Sequence, residues 1–184
     1  TDANASTIKG ATGAGIIAYS QGGAGGSPAA ITISTNGEVT GGSNGIKAMN
    51  YGGGAITITV NGEVEATNGD GIYAYNESGD GKMLVTTGTG SAITGSRDGI
   101  DARNFGTSDT EIIANGKVTG TLGDGIVAHN TPDGGNLTIT TGADSEITGG
   151  DRGIEAQNFG LGKDLTITAN GKVSGNQGIF ASNS

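Results

Sequence analysis

The chain has 184 residues, of which 33% are hydrophobic, 4% aromatic and none Trp or Cys; 39 are Gly, and the formal net charge is −9. Nine Lys and Arg are too few for the clustered basic surface that phosphate neutralisation demands, which argues against nucleic acid as a partner. An acidic surface repels anionic lipid, and no apolar run approaches the ~20 residues of a bilayer-spanning helix.

So much glycine without collagen's three-residue period would suit a disordered chain, yet Ile and Val recur at regular positions. The glycines are therefore expected to supply positive φ angles at several turns per repeat. Gly-Ile pairs at Gly15, Gly45, Gly71, Gly99, Gly125, Gly153 and Gly178 are spaced by 30, 26, 28, 26, 28 and 25 residues. A fixed period of this kind marks a stacked repeat, in which no unit has a core until its neighbours cover it.

From the N-terminus, Ile16, Ala18 and Ser20 form an opening alternation, Ile31 and Ile33 a middle one, and Val39 closes the unit. The second unit reads Ile46, Ala48, Asn50, then Ile56, Ile58, Val60, then Val64; the third reads Ile72, Ala74, Asn76, then Met83, Val85, then Ile93. In the fourth, Ile100, Ala102 and Asn104 open and Val118 closes, with Glu111 and Ile113 between. The fifth runs Ile126, Ala128, Asn130, then Leu137, Ile139, then Ile147. The sixth has Ile154, Ala156, Asn158, then Leu165, Ile167, then Val173, and Ile179, Ala181 and Asn183 open a seventh. Period-two alternation predicts strands, and Asn36-Gly37, Asn61-Gly62, Asn115-Gly116 and Asn170-Gly171 predict the turns between them.

Three strands per ~27-residue repeat predict an all-β, right-handed parallel β-helix of about seven coils, since propeller blades need ~40 residues. Residues 1–184 then form a single β-solenoid segment, expected to be a piece of a longer one because it starts and stops partway through a repeat. The column Asn50, Asn76, Asn104, Asn130 and Asn158, flanked by Ser20 and Asn183, falls at the inward phase. Stacked ~4.8 Å apart, these amides are expected to hydrogen-bond up a ladder, each satisfying the next. Tyr51, Phe105 and Phe159 follow ladder positions at 54-residue spacing, so aromatics mark alternate coils.

Inward columns explain stability; a site must come from the outward ones. Ile17, Tyr19, Met49, Tyr73 and Tyr75 give an exposed apolar and aromatic patch suited to protein or sugar contacts. Asp101, Arg103, His129 and Glu155 follow on the same face, with the two carboxylates two coils apart, near the outer limit of inverting-glycosidase spacing. That group shows no convergent pocket, and the expectation is solvated charge rather than catalysis. Asp70, Asp98 and Asp124 each precede a Gly-Ile pair and are expected to cap their own turns, with Arg97 and Arg152 near enough to relieve the stacked charge. Thr32, Thr57, Thr138 and Thr166, with Ser34, Thr59, Thr86, Thr140 and Thr168, resemble an ice-binding Thr face, but Leu84, Glu111 and Ile113 interrupt it. The glycine run from Gly22 to Gly26 lacks the Lys-Ser/Thr pair and following helix of a phosphate loop.

The Gly-Ile-x-Ala-x-Asn openings, the Ile-Thr-Ile-Thr strands and the Asn-Gly-Glu/Lys-Val-Thr-Gly closings together resemble the passenger domains of bacterial autotransporter adhesins, of the repetitive α-proteobacterial kind. That resemblance implies passage through an outer-membrane barrel, for which an absence of Cys is suited, and display at the bacterial cell surface or secretion. It also implies a non-enzymatic role in attachment to a host cell-surface or extracellular-matrix protein or glycan, with possible self-association of the rods. No catalytic, cofactor-binding or metal residue is carried over by it. The alternatives are a structural stalk presenting another domain, a polysaccharide-degrading β-helix enzyme, or an ice-binding protein.

Overall fold

The computed structural model describes residues 6–21, 29–161 and 163–184; the Gly22 to Gly26 run lies outside them. Among the described residues the regular structure is all strand, twenty of them, arranged in three parallel sheets. The opening sheet stacks Ile16–Ser20, Ile46–Asn50, Ile72–Asn76, Ile100–Asn104, Ile126–Asn130, Arg152–Asn158 and Gln177–Asn183. The middle sheet stacks Ile31–Thr35, Ile56–Val60, Met83–Thr87, Thr110–Ala114, Leu137–Thr141 and Leu165–Ala169. The closing sheet runs from Thr7–Gly10 through Glu38–Gly41, Glu63–Ala66, Ala92–Gly95, Lys117–Gly120 and Glu146–Gly149 to Lys172–Ser174. The chain is a β-solenoid of about six turns with three strands per coil. Thr110–Ala114 fills the slot that Glu111 and Ile113 obscure in the sequence, with Ile112 buried on its inner side.

Register is like on like. Ile72, Ile100, Ile126 and Ile154 pair in succession, as do Ala74, Ala102, Ala128 and Ala156. A slip of one residue would turn every apolar side chain outward, so the alternation itself holds the register. Inside, the Ile column meets Ile58, Val85, Ile112 and Ile139 from the middle sheet and Val64, Ile93, Val118 and Ile147 from the closing sheet, all inaccessible to solvent. Each such side chain contributes about 1.5–3 kcal/mol by leaving water. In the last coil Leu165, Ile167 and Val173 are only partly covered, and Ile179 is exposed.

The glycines act differently from the expectation. Among the described residues only Gly53 and Gly79 have positive φ. The Gly of the Gly-Ile pair is instead required by close approach: a Cβ on Gly99 would meet Val118 Cγ1 and the Gly125 carbonyl oxygen, each at 2.5 Å. Backbone and closing-sheet side chain thus share a corner with no room for a methyl group.

The asparagine column is also built differently. Within this column only one amide-to-amide bond joins successive coils among the described residues, Asn76 Nδ2 donating to Asn104 Oδ1 at 3.2 Å. The other amides serve the turn that follows their own strand. Asn104 Oδ1 accepts from the Gly106 N–H at 3.0 Å while its Nδ2 donates to the Ser108 carbonyl at 2.8 Å. Asn50 likewise binds Gly52 and Gly54, Asn130 donates to the Gly135 carbonyl, and Asn158 to that of Asp164. Where the chain leaves the sheet its peptide groups lose ladder partners, and a buried amide supplies both a donor and an acceptor.

Gly99→Ala should lower stability by about 1–3 kcal/mol through this overpacking. Gly90, whose Cβ would meet nothing within 4 Å, supplies the control. Thermal unfolding of the two variants should show a clear fall for the first and little change for the second.

Candidate functional site

The outer face of the opening sheet carries the irregular residues. Its two outward columns read Ile17, Lys47, Tyr73, Asp101, Val127, Glu155, Phe180 and Tyr19, Met49, Tyr75, Arg103, His129, Gln157, Ser182 in register. Of the apolar patch expected from sequence, Ile17 and Tyr19 are exposed and stand on the first coil. Met49, Tyr73 and Tyr75 are half-buried on the next two.

Tyr75 is the hub of this face. Its ring lies 6.0 Å from Tyr51, 6.4 Å from Tyr73 and 5.2 Å from Phe105, measured between centroids. The two outer members belong to the alternate-coil aromatics that follow the Asn column, so the strand face and the turn beyond it form one cluster. Such tilted and offset rings contribute about 0.5–1.5 kcal/mol per pair beyond burial. The aromatic period was legible in the sequence; its convergence on Tyr75 depends on which way the turn after each Asn runs.

Beside this cluster, over the second to fourth coils, is a groove of about 400 Å³. Lys47, Met49, Tyr73 and Arg103 contribute from the sheet, and Asn44, Asn68 and Arg97 from the turns before it. Lys47 Nζ stands 5.9 Å from the centre of the Tyr73 ring.

Carboxylates form the floor. Asp101 points outward as its phase requires but has no solvent exposure, being covered by arginines rather than solvated. Arg103 Nε holds both of its oxygens, at 2.9 and 3.1 Å. Arg97 grips Asp70 through Nε and Nη2 at 2.8 and 2.6 Å, and reaches Asp98 at 3.3 Å and Asp101 at 3.6 Å. The carboxylates of Asp70, Asp98 and Asp101 converge to within 4.8 Å of one another. Burial pushes the Asp98 and Asp101 carboxyls up, against the hydrogen bonds and guanidinium charge that pull them down. Arg97 therefore relieves the stacked charge as its position in the sequence suggests.

The aspartate column caps, but it caps the neighbouring coil. Asp98 Oδ1 accepts from the Asp124 N–H at 2.8 Å, and Asp124 Oδ1 from the Arg152 N–H at 2.8 Å. Asp70 Oδ1 accepts from the Asp98 N–H at 3.4 Å, and Asn44 Nδ2 donates to Asp70 at 3.2 Å. A local Asx turn would satisfy its own coil; these carboxylates instead tie each coil to the next.

The four charged residues read along this face divide into two separate pairs. Asp101 goes with Arg103, while His129 Nε2 lies 3.3 Å from Glu155. Glu155 also accepts from Arg152 at 2.6 Å and from Gln157. Buried Val127 separates the pairs, and only the Asp101–Arg103 pair lines the groove. On the middle sheet Thr57, Thr138 and Thr166 face outward in register, with Leu84 and Glu111 breaking the column as the sequence indicates. The sequence did not mark Lys47, Asn44 or Asn68 as site residues; the signal was the offset of Lys47 from Tyr73 by one repeat.

No helix among the described residues is long and apolar enough to cross a membrane. Comparison with protein-family models, with curated proteins and with solved structures gives no match.

Asp124 supplies a pH test. Burial, with the Glu155 carboxylate beside it, raises its pKa to about 6. A raised folded pKa contributes stability that is full below the unfolded value near 3.8 and is lost as pH rises through about 6. Asp98 and Asp101 act in the same sense, whereas Glu155, whose pKa is lowered from 4.5, acts only below that pH. The melting temperature should therefore fall between pH 4.5 and 7, by the equivalent of roughly 1–2 kcal/mol. Asp124→Asn should flatten the profile, and an unchanged slope would remove Asp124 as its source.

Proposed function

We propose that this segment is a non-enzymatic adhesive or receptor-binding module, displayed at a bacterial surface or secreted in the manner of an autotransporter passenger. Its contact surface is the outer face of the opening sheet over the first four coils. One observation carries the reading: a face whose inner side repeats Ile, Ala and Asn bears on its outer side the Tyr51, Tyr73, Tyr75 and Phe105 cluster beside a polar groove. Stacking alone requires only the inner side. Tyr and Arg are among the residues enriched in interface hot spots, and a stacked sheet face presents them with little backbone ordering cost. The partner is a host cell-surface or matrix protein, or a glycan.

Purified protein should bind cultured host cells or immobilised matrix proteins saturably at physiological salt. Joint replacement of Tyr73 and Tyr75 by Ala should reduce that binding by at least about tenfold, in line with the loss of two hot-spot anchors. Binding that survives the double substitution would move the contact elsewhere. Absence of binding to every surface would favour a stalk that holds another domain away from the cell.

A further inference from the structure

We propose that the groove over the second to fourth coils is a saccharide-binding site, selective for sugars that carry a carboxylate or sulfate group. This rests on the adhesive reading of the same face and names its ligand class. The first support is the distribution of cations. The chain has nine Lys and Arg against eighteen Asp and Glu, yet Lys47, Arg97 and Arg103 all line this one groove. The second is the layering of charge. Asp70 and Asp101 are almost wholly buried, and the Arg97 and Arg103 side chains keep 57% and 40% of their exposure above them. A ligand therefore meets guanidinium and ammonium first, with the carboxylates behind them already engaged.

The third support is unspent donor capacity. Lys47 forms no ion pair among the described residues; its ammonium rests near the Tyr73 ring. Arg103 uses Nε on Asp101, and its two terminal nitrogens make no hydrogen bond among the described residues. Register places Lys47 one coil before Tyr73 and Arg103 one coil after Tyr75, so the two cations bracket the tyrosines two strand spacings apart, ~9.6 Å along the stack. An anionic group held at one of them leaves the rest of a sugar over Tyr73 and the amides of Asn44 and Asn68. Such a site suits a polyhydroxylated ligand better than a peptide side chain. Its lining is amide, hydroxyl, phenol and cation, with the arginine-paired carboxylates of Asp70 and Asp101 at its base, and Met49 is its one aliphatic contributor. Burying a peptide's apolar side chain there would gain little, whereas hydroxyls find both donors and acceptors.

The test is titration of the folded protein with polygalacturonate, dextran sulfate, neutral dextran and polyglutamate, followed by calorimetry or fluorescence. In the same series, binding to cultured cells is measured. Saturable binding of polygalacturonate or dextran sulfate is expected, with neutral dextran and polyglutamate much weaker. Lys47→Gln, which breaks no ion pair, should weaken it about tenfold, the value of one charge-assisted hydrogen bond. Arg103→Gln should do the same, with a melting curve to show that Asp101 remains covered. Raising salt from about 0.15 to 1 M should weaken it further. Equal binding of polyglutamate overturns the saccharide assignment, and equal binding of neutral dextran overturns the anionic one. Cell binding that is unaffected by Lys47→Gln, with no binding of either anionic polymer, overturns the ligand class and leaves the adhesive reading standing. Absence of cell binding and of all polymer binding by the folded, unsubstituted protein overturns both.

Discussion

Parallel, in-register pairing of each coil with the next is the constraint on which everything else depends. It gives the backbone N–H and C=O groups of the strands inside each sheet a partner on both sides, and it sets identical residues above one another at one strand spacing. Once that is imposed, a residue type suited to the interior at one level is suited at every level. Repetition of Ile, Ala and Asn is then the direct record of one packing problem solved several times. A chain with 33% hydrophobic residues can hold such a core because the solenoid is narrow and its inner columns combine Ile, Val and Ala with buried, hydrogen-bonded Asn and Thr.

The same stacking makes polar groups cumulative. Carboxylates at one phase, such as Asp70, Asp98 and Asp124, are forced to within a strand spacing of their neighbours, and like charges at that distance repel. The chain resolves this by giving each carboxylate a backbone N–H on the following coil and by inserting Arg97 and Arg152 beside the column. Repulsion becomes coil-to-coil attachment. The remaining tension is held in raised carboxyl pKa values, where burial outweighs the hydrogen bonds and cations.

Outside the core the stacking is permissive. A residue on the outer face of the opening sheet is covered, where it is covered at all, by other outward side chains and turns rather than by the core, so its identity can change without loss of register. Tyr73, Asp101 and Val127 occupy one column, and their burial ranges from half-covered to complete. What covers Asp101 comes from the turn before its strand and from two residues beyond it. The groove is therefore made where turns rise beside the sheet, while the sheet supplies its base.

The sequence by itself determined the period, the three strands of each coil save the middle strand Thr110–Ala114 of the fourth, and the phase of the inward and outward columns. Each of these follows from alternation and repeat length, which are local and survive in one dimension. It also indicated that Arg97 would sit near the aspartates, since spacing in a repeat converts directly into height in the stack. Only the tertiary structure decided that the Gly of Gly-Ile is required by contact with Val118 and the next coil rather than by positive φ. The same holds for the asparagines, whose amides turn to their own loops, and for Asp101, which lies beneath arginines. These depend on which way side chains and turns point once neighbouring coils are in place. That direction is set by packing across coils some 27 residues apart in the chain, a distance over which local pattern carries height but no orientation.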